Sequence, residues 1–223
     1  MWIDHCTLAI RGSPFDIKGL ENLGAPLLSV RPWVQGTARH LIFFSNAFLE
    51  VVSLLDPLAA RRTVWGRAVV RFLRQGDGIF RVTLGHPDMG QFLAERSRLG
   101  VRWWPPIESH IFGVDDAAFP VSMTQIDPLM PFVVHYTLQS LPLPTSAIQL
   151  AQVMVASPIP TLTARHYQWT LGLPLLAPTR LDTDNASLVM VAGEPGFNAI
   201  ELSRNNRPIV LKPEAGQLRI TVG

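Results

Sequence analysis

Cysteine is almost missing from this 223-residue chain. Cys6 stands alone, which excludes an intrachain disulfide and any zinc site built from paired cysteines. Lysine is nearly as scarce, with only Lys18 and Lys212, so almost all the positive charge is arginine, and 19 basic against 17 acidic residues leave a net charge of +2. That balance is too weak for a nucleic-acid footprint. No window of about 18 residues is free of charged and strongly polar groups, so no membrane-spanning helix is expected. The opening Met1-Trp2-Ile3-Asp4-His5 lacks the basic and apolar regions of a signal peptide, and the expectation is a cytoplasmic protein. HExxH, a Ser-His-Asp spacing and a glycine-rich phosphate loop are also missing; Gly76-Asp77-Gly78 is too short for a nucleotide fingerprint.

What is there is apolar: 48% hydrophobic against 16% charged residues, the balance of a chain that buries a core. The most informative stretch is Gly36 to Pro57, GTARHLIFFSNAFLEVVSLLDP, which reads as two strands folded together at Ser45-Asn46, a polar pair in an apolar run. Alternation in the second strand puts Phe48, Glu50, Val52 and Leu54 on one face. Glu50 is the one charge in that apolar segment. It must be paired, hydrogen-bonded or metal-bound, or lie on the solvated face of an edge strand, because a lone ionised group in low dielectric costs several kcal/mol or more.

Taken in order, Ile3 to Ile10 alternates as a strand, Ser13-Pro14 opens a helix that Gly24 closes, and Leu27 to Arg31 leads to the hairpin. Leu58 to Phe72 reads as one connecting helix. The pattern then restarts: strand Ile79 to Leu84, a helix from His86-Pro87-Asp88 to Gly100, and strands Val101 to Trp104, Phe119 to Ile126 and Pro131 to Leu138. A third round follows the proline-rich link Leu141-Pro142-Leu143-Pro144. It has strand Gln149 to Ala156, a helix from Pro160 to Gly172, strands Leu175 to Leu181, Ser187 to Ala192 and Asn198 to Ser203, and an additional strand Gln217 to Val222. Each helix ends in Leu-Gly, and the stops at Gly24, Gly100 and Gly172 recur at intervals of 76 and 72 residues, the mark of an internal repeat. The reading divides the chain into 1–72, 73–142 and 143–223. Leu23, Leu99 and Leu171 are each expected to be buried where a helix meets the sheet. Counting back from the glycines aligns His5 with Arg81 and with Gln152 or Val153, and sets His135 and Glu201 beside Glu50 as the polar residues of the closing strands.

IDHCTLAI, WVQGTARHLIFFSNAFLEVVSLLDP and GIFRVTLGHPDMGQFLAERSRLGV with MPFVVHY resemble the glyoxalase-like branch of the vicinal oxygen chelate superfamily; LTARHYQWTLGLPLL and FNAIELSR extend the likeness more loosely. The resemblance implies an α+β fold of repeated βαβββ modules, two of which curl into an open cup-shaped mixed sheet. It also implies ligands for a divalent metal, Fe, Ni, Zn or Mn, from the first and last strands of the paired modules. The Asp4-His5 pair and the Leu49-Glu50 pair match the family pattern. If modules one and two share the cup, the resemblance implies His5, His135 and Glu50 as a two-histidine, one-carboxylate set. Arg81 is then unable to ligate a metal and suited to clamp an anionic substrate oxygen. If modules one and three pair, it implies His5, Glu50, Gln152 and Glu201, with Glu50 or Glu201 moving a proton.

Trp33, Trp103 and Arg39 are candidates for lining a pocket for an apolar or aromatic ligand, and tryptophans in such number equally suit core or subunit contacts, including those of a homodimer. The function expected from the resemblance is a metal-dependent lyase, isomerase or dioxygenase acting on a small molecule with adjacent oxygens. The alternative is a metal-free protein that sequesters a small molecule, as resistance proteins of this superfamily do. Fold analogy does not separate the two.

Overall fold

Strand β1 (Trp2–Ile10) is the seam on which the first half of the molecule is assembled, pairing in parallel with β4 (Phe48–Leu54) on one side and antiparallel with β5 (Gly78–Gly85) on the other. The structure is a computed structural model and describes residues 1–11, 24–30, 32, 34–112, 118–125, 130–136, 145–214 and 217–222. Around the seam an eight-stranded sheet runs β2 (Leu27–Val30), β3 (Thr37–Phe43), β4, β1, β5, β8 (Phe132–Tyr136), β7 (Ala118–Thr124), β6 (Ile107–Phe112). A second sheet has seven strands. Its order is β10 (Leu175–Ala177), β11 (Arg180–Asp182), β12 (Ser187–Ala192), β9 (Gln149–Ser157), β13 (Gly196–Arg204), β14 (Arg207–Glu214), β15 (Gln217–Val222). The fold is α+β. The described strands of residues 1–136 all lie in the first sheet, and those of residues 149–222 form the second.

The helices follow from capping and from apolar spacing. Asp56 caps α1 (Pro57–Ala60) and Thr63 caps α2 (Val64–Phe72), so the expected single helix from Leu58 is two. Asp88 caps α3 (Met89–Arg98), and α4 (Pro160–Leu171) stops at Gly172 with φ +77°. Gly24 and Gly100 also have positive φ, +95° and +79°. Leu171 is buried, but Leu99 is 52% exposed: it lies past the buried Met89 and Phe92 of α3, at the cap, and points away from the sheet. Leu23 and the expected first helix lie outside the described residues, as does the link at 141–144.

Strand assignments differ in three places. Val101 to Trp104 forms no strand, and β6 begins after Pro105-Pro106. Pro178-Thr179 splits the expected strand Leu175 to Leu181 into the hairpin β10–β11. β14 escapes sequence reading because Pro208 and Pro213 argue against a strand. Its signal was Asn205-Asn206, both at positive φ (50° and 63°), the conformation of a two-residue hairpin turn.

The two sheets meet through one core. Ile3, Cys6, Leu8 and Ile10 of β1, with Leu49, Val51, Val82 and Leu84, pack in the same cluster as Leu150, Val153, Val155, Ile200 and Leu202 of the second sheet. At its edge sits a reciprocal clasp of two turn asparagines. Asn185 bonds the backbone N–H and C=O of Ile3, Asn46 bonds those of Leu150, and each amide also donates to the other asparagine's carbonyl. The core therefore occupies one face of the eight-stranded sheet and leaves the other for the cup.

Candidate functional site

Two bulges decide which side chains enter the cup. Ile3 of β1 faces Leu84 and His5 faces Thr83, so two residues of β1 span one step of β5. Asp4 and His5 consequently share the cup face while Ile3 and Cys6 remain in the core. The second slip lies in β5: Thr7 faces Arg81 and Leu8 faces Ile79, which puts Phe80 and Arg81 together on the same cup face. The second sheet repeats the device, with Glu201 facing Gln152 and Leu202 facing Leu150. His5, Arg81 and Gln152 each follow a bulged residue and are structural counterparts, so the register resolves to Gln152 rather than Val153.

The same register relocates the counterparts of Glu50. Two positions on from His5, Arg81 and Gln152 stand Thr7, Thr83 and Met154, and their partners across the parallel pairs are Glu50, Phe132 and Val189. His135 shares the face of Val133, a core residue, and so lies opposite Tyr136 and the cup; its Nδ1–H donates to the His86 carbonyl at 3.2 Å. Glu201 stands in β13, which takes the place that β5 has in the first sheet, and accepts a hydrogen bond from Gln152 at 2.8 Å. Gln152 and Glu201 therefore form a pair on the outer face of the other sheet. The structure brings together His5, Glu50, Arg39 and Arg81, and does not bring His135, Gln152 or Glu201 to them. Trp103 packs edge-on to Phe92 at 4.9 Å on the core side; Trp33 lies outside the described residues.

At the base of the cup is a buried ion pair. Arg39 Nε donates to Glu50 Oε1 at 2.5 Å, Thr7 Oγ1 donates to Glu50 Oε2 at 2.9 Å, and both charged side chains are about as buried as core residues, at 4% and 5% exposure. Burial alone would raise the Glu50 carboxyl, but the Arg39 guanidinium, the neighbouring His5 and the two hydrogen bonds outweigh it and hold the group below the usual carboxylate range. Beside it, Asp4 Oδ2 lies 2.7 Å from His5 Nδ1 and accepts the Tyr136 hydroxyl at 2.7 Å, while His5 Nε2 lies 3.1 Å from Thr83 Oγ1 and 4.0 Å from Glu50 Oε2. The imidazole stacks on Phe48 at 4.6 Å. Burial, then the Asp4 carboxylate, pushes the Tyr136 hydroxyl well above the usual phenol range, so it remains a donor. Asp4, Thr7, Thr83 and Tyr136 were missed as site residues in the sequence; only the Asp4-His5 adjacency carried a signal.

These residues do not fit a divalent metal. Both Glu50 oxygens are engaged, one by a guanidinium whose charge repels a cation, and the His5 Nε2 already has Thr83 Oγ1 at 3.1 Å. The second module supplies Arg81 and Phe132 where further ligands would stand, and neither can ligate. Among the described residues no group of three or more His, Cys, Asp or Glu side chains is arranged to hold a metal.

A cup built on one mixed sheet across the antiparallel β1–β5 seam, with its polar residues on β1, β4 and β5, is the architecture of a vicinal oxygen chelate protein. A family model described as glyoxalase-like domain matches residues 3–171, and the chain belongs to that family. The fold also matches a solved hypothetical protein from Staphylococcus aureus, 12% identical, over 98% of this chain and 97% of that one with a TM-score of 0.75. Methylmalonyl-CoA epimerase from Mycobacterium tuberculosis is similar at 18% identity over 60% of this chain and 86% of that one, TM-score 0.43. Methylmalonyl-CoA epimerase from Streptomyces coelicolor, in complex with 2-nitronate-propionyl-CoA, is similar at 14% identity over 62% and 99%, TM-score 0.43. None of the curated proteins matches the chain. Among the described residues no helix is long and apolar enough to cross a membrane.

Proposed function

We propose that the cup on the eight-stranded sheet is a metal-independent site for a small molecule. The observation that carries this reading is the Arg39–Glu50 ion pair, in which a guanidinium already supplies the positive charge a metal would bring to Glu50. Metal analysis of protein purified without chelator tests it. The expected result is no stoichiometric metal, and no shift in melting temperature on adding Fe, Ni, Zn or Mn. Stoichiometric metal that is lost in His5→Ala would overturn the reading and restore the metal-dependent lyase, isomerase or dioxygenase.

A second reading, a proton-moving lyase or isomerase, draws support from Asp4. A carboxylate at Nδ1 fixes the Nδ1–H tautomer and leaves the Nε2 lone pair as acceptor, facing Thr83 and Glu50. Nitrogen-15 NMR of the imidazoles is expected to find His5 as the Nδ1–H tautomer, and Asp4→Asn to change that assignment. An Nε2–H tautomer in the wild type removes this second reading.

A further inference from the structure

We propose that Arg81 makes the cup selective for a small organic monocarboxylate, received by its in-plane N–H donors. The inference rests on the cup being a small-molecule site and names the ligand class that such a site takes. The two arginines on this face are in opposite situations. Arg39 is neutralised by Glu50. The Arg81 guanidinium carbon instead lies 4.8 Å from the centroid of the Phe80 ring and 4.4 Å from that of Phe132, and among the described residues no carboxylate or other hydrogen-bond acceptor engages it. Stacking on phenyl rings uses the flat faces of a guanidinium and leaves its edge donors free, in the fork geometry that matches a carboxylate.

The cation is also far from indifferent to its surroundings. Burial lowers its pKa to about 10. A partly desolvated charge that no described acid pairs is unfavourable in the free protein, so a ligand that supplies the negative charge recovers what the fold gives up. The bulge at Phe80 is what turns Arg81 into the cup, and it places the guanidinium strand opposite Thr7 and diagonal to His5. One positive charge without a partner among the described residues matches one negative charge, which favours a carboxylate over a phosphate dianion. Phe48, Phe80 and Phe132 on the same face suit an apolar or aromatic body.

Calorimetric titration of the full chain with benzoate, benzamide and phenyl phosphate reads this directly. Benzoate is expected to bind about tenfold or more tightly than its neutral isostere benzamide, and Arg81→Gln to weaken benzoate by about tenfold or more, since a charge-assisted pair is lost. Arg165→Gln, which removes an exposed charge on α4, is expected to leave benzoate binding unchanged. Arg81→Gln is also expected to melt at or above the wild-type temperature, because a half-buried cation that no described acid pairs is removed. Equal binding of benzoate and benzamide, phenyl phosphate bound more tightly than benzoate, or benzoate affinity unchanged in Arg81→Gln would overturn the ligand class. If benzamide binds as well as benzoate and His5→Asn weakens both, the small-molecule reading stands and only the ligand class falls. If none of the three probes binds, both fall.

Discussion

Asn185→Ala is expected to lower stability by about 3 kcal/mol and the melting temperature by roughly 6–12 °C, the larger part from main-chain groups left without partners. The Asn185 side chain accepts from the Ile3 N–H at 2.8 Å and donates to the Ile3 and Asn46 carbonyls at 2.8 and 2.7 Å. It extends the ladder of β1 at a point where the parallel pairing with β4 has not yet begun, since that pairing starts at His5. Ile3 is fully buried, so water cannot easily replace the amide. Asn185→Asp is the sharper comparison, because it keeps shape and acceptor but loses both donations; it is expected to be at least as damaging as alanine. Asn46 makes the mirror-image bonds to Leu150 at 2.8 and 2.9 Å. The double alanine variant is expected to fall short of the sum of the singles, as each amide bonds the other's carbonyl. Denaturant unfolding showing less than about 1 kcal/mol for Asn185→Ala would mean the clasp is incidental to the docking of the sheets.

How much of this was legible in the sequence depends on which interactions are local. The hairpin at Ser45-Asn46, the strand boundaries of β12 and β15 and the helix stops at Gly100 and Gly172 are written in neighbouring residues, and these are present among the described residues. The Leu-Gly spacing measured a repeat at the helix ends and transferred it to the closing strands. There it failed, because bulges and loop lengths change the count: the partners of Thr7, Thr83 and Met154 are Glu50, Phe132 and Val189, none of which aligns with His135 or Glu201. A bulge shows no compositional signal in DHC or FRV, yet it determines which side chain enters the cup. Which modules share a sheet was equally out of reach, being set by long-range pairing of β1 with β5 and of β9 with β13. The partner of Glu50 was legible only as a requirement: a lone acid in an apolar strand needed a counter-charge, and Arg39 answers it from the adjacent strand of the same hairpin.

That pair yields the second large expected effect. Glu50→Gln is expected to destabilise by about 3–5 kcal/mol, because it strands the Arg39 guanidinium in a buried site. Arg39→Met is expected to cost a comparable amount by stranding the carboxylate, although that group can relieve itself by taking up a proton as its pKa rises. The combined Arg39→Met and Glu50→Leu variant is expected to lie close to wild type, since an apolar pair of similar volume avoids the desolvation penalty altogether. A metal centre predicts otherwise, since losing Arg39 would then leave Glu50 available as a ligand and the double variant would lose metal-dependent stability. Acid titration separates the charge from the packing. The folded-state pKa of Glu50 lies below its ordinary value of 4.5, so its contribution is fully present above that value and is lost as pH falls through the folded pKa. The melting temperature of the wild type is therefore expected to drop more steeply below about pH 4.5 than that of the double variant. Parallel acid limbs in the two proteins would show that the pair contributes nothing pH-dependent, and would leave the fit of Arg39 against Glu50 as a matter of packing alone.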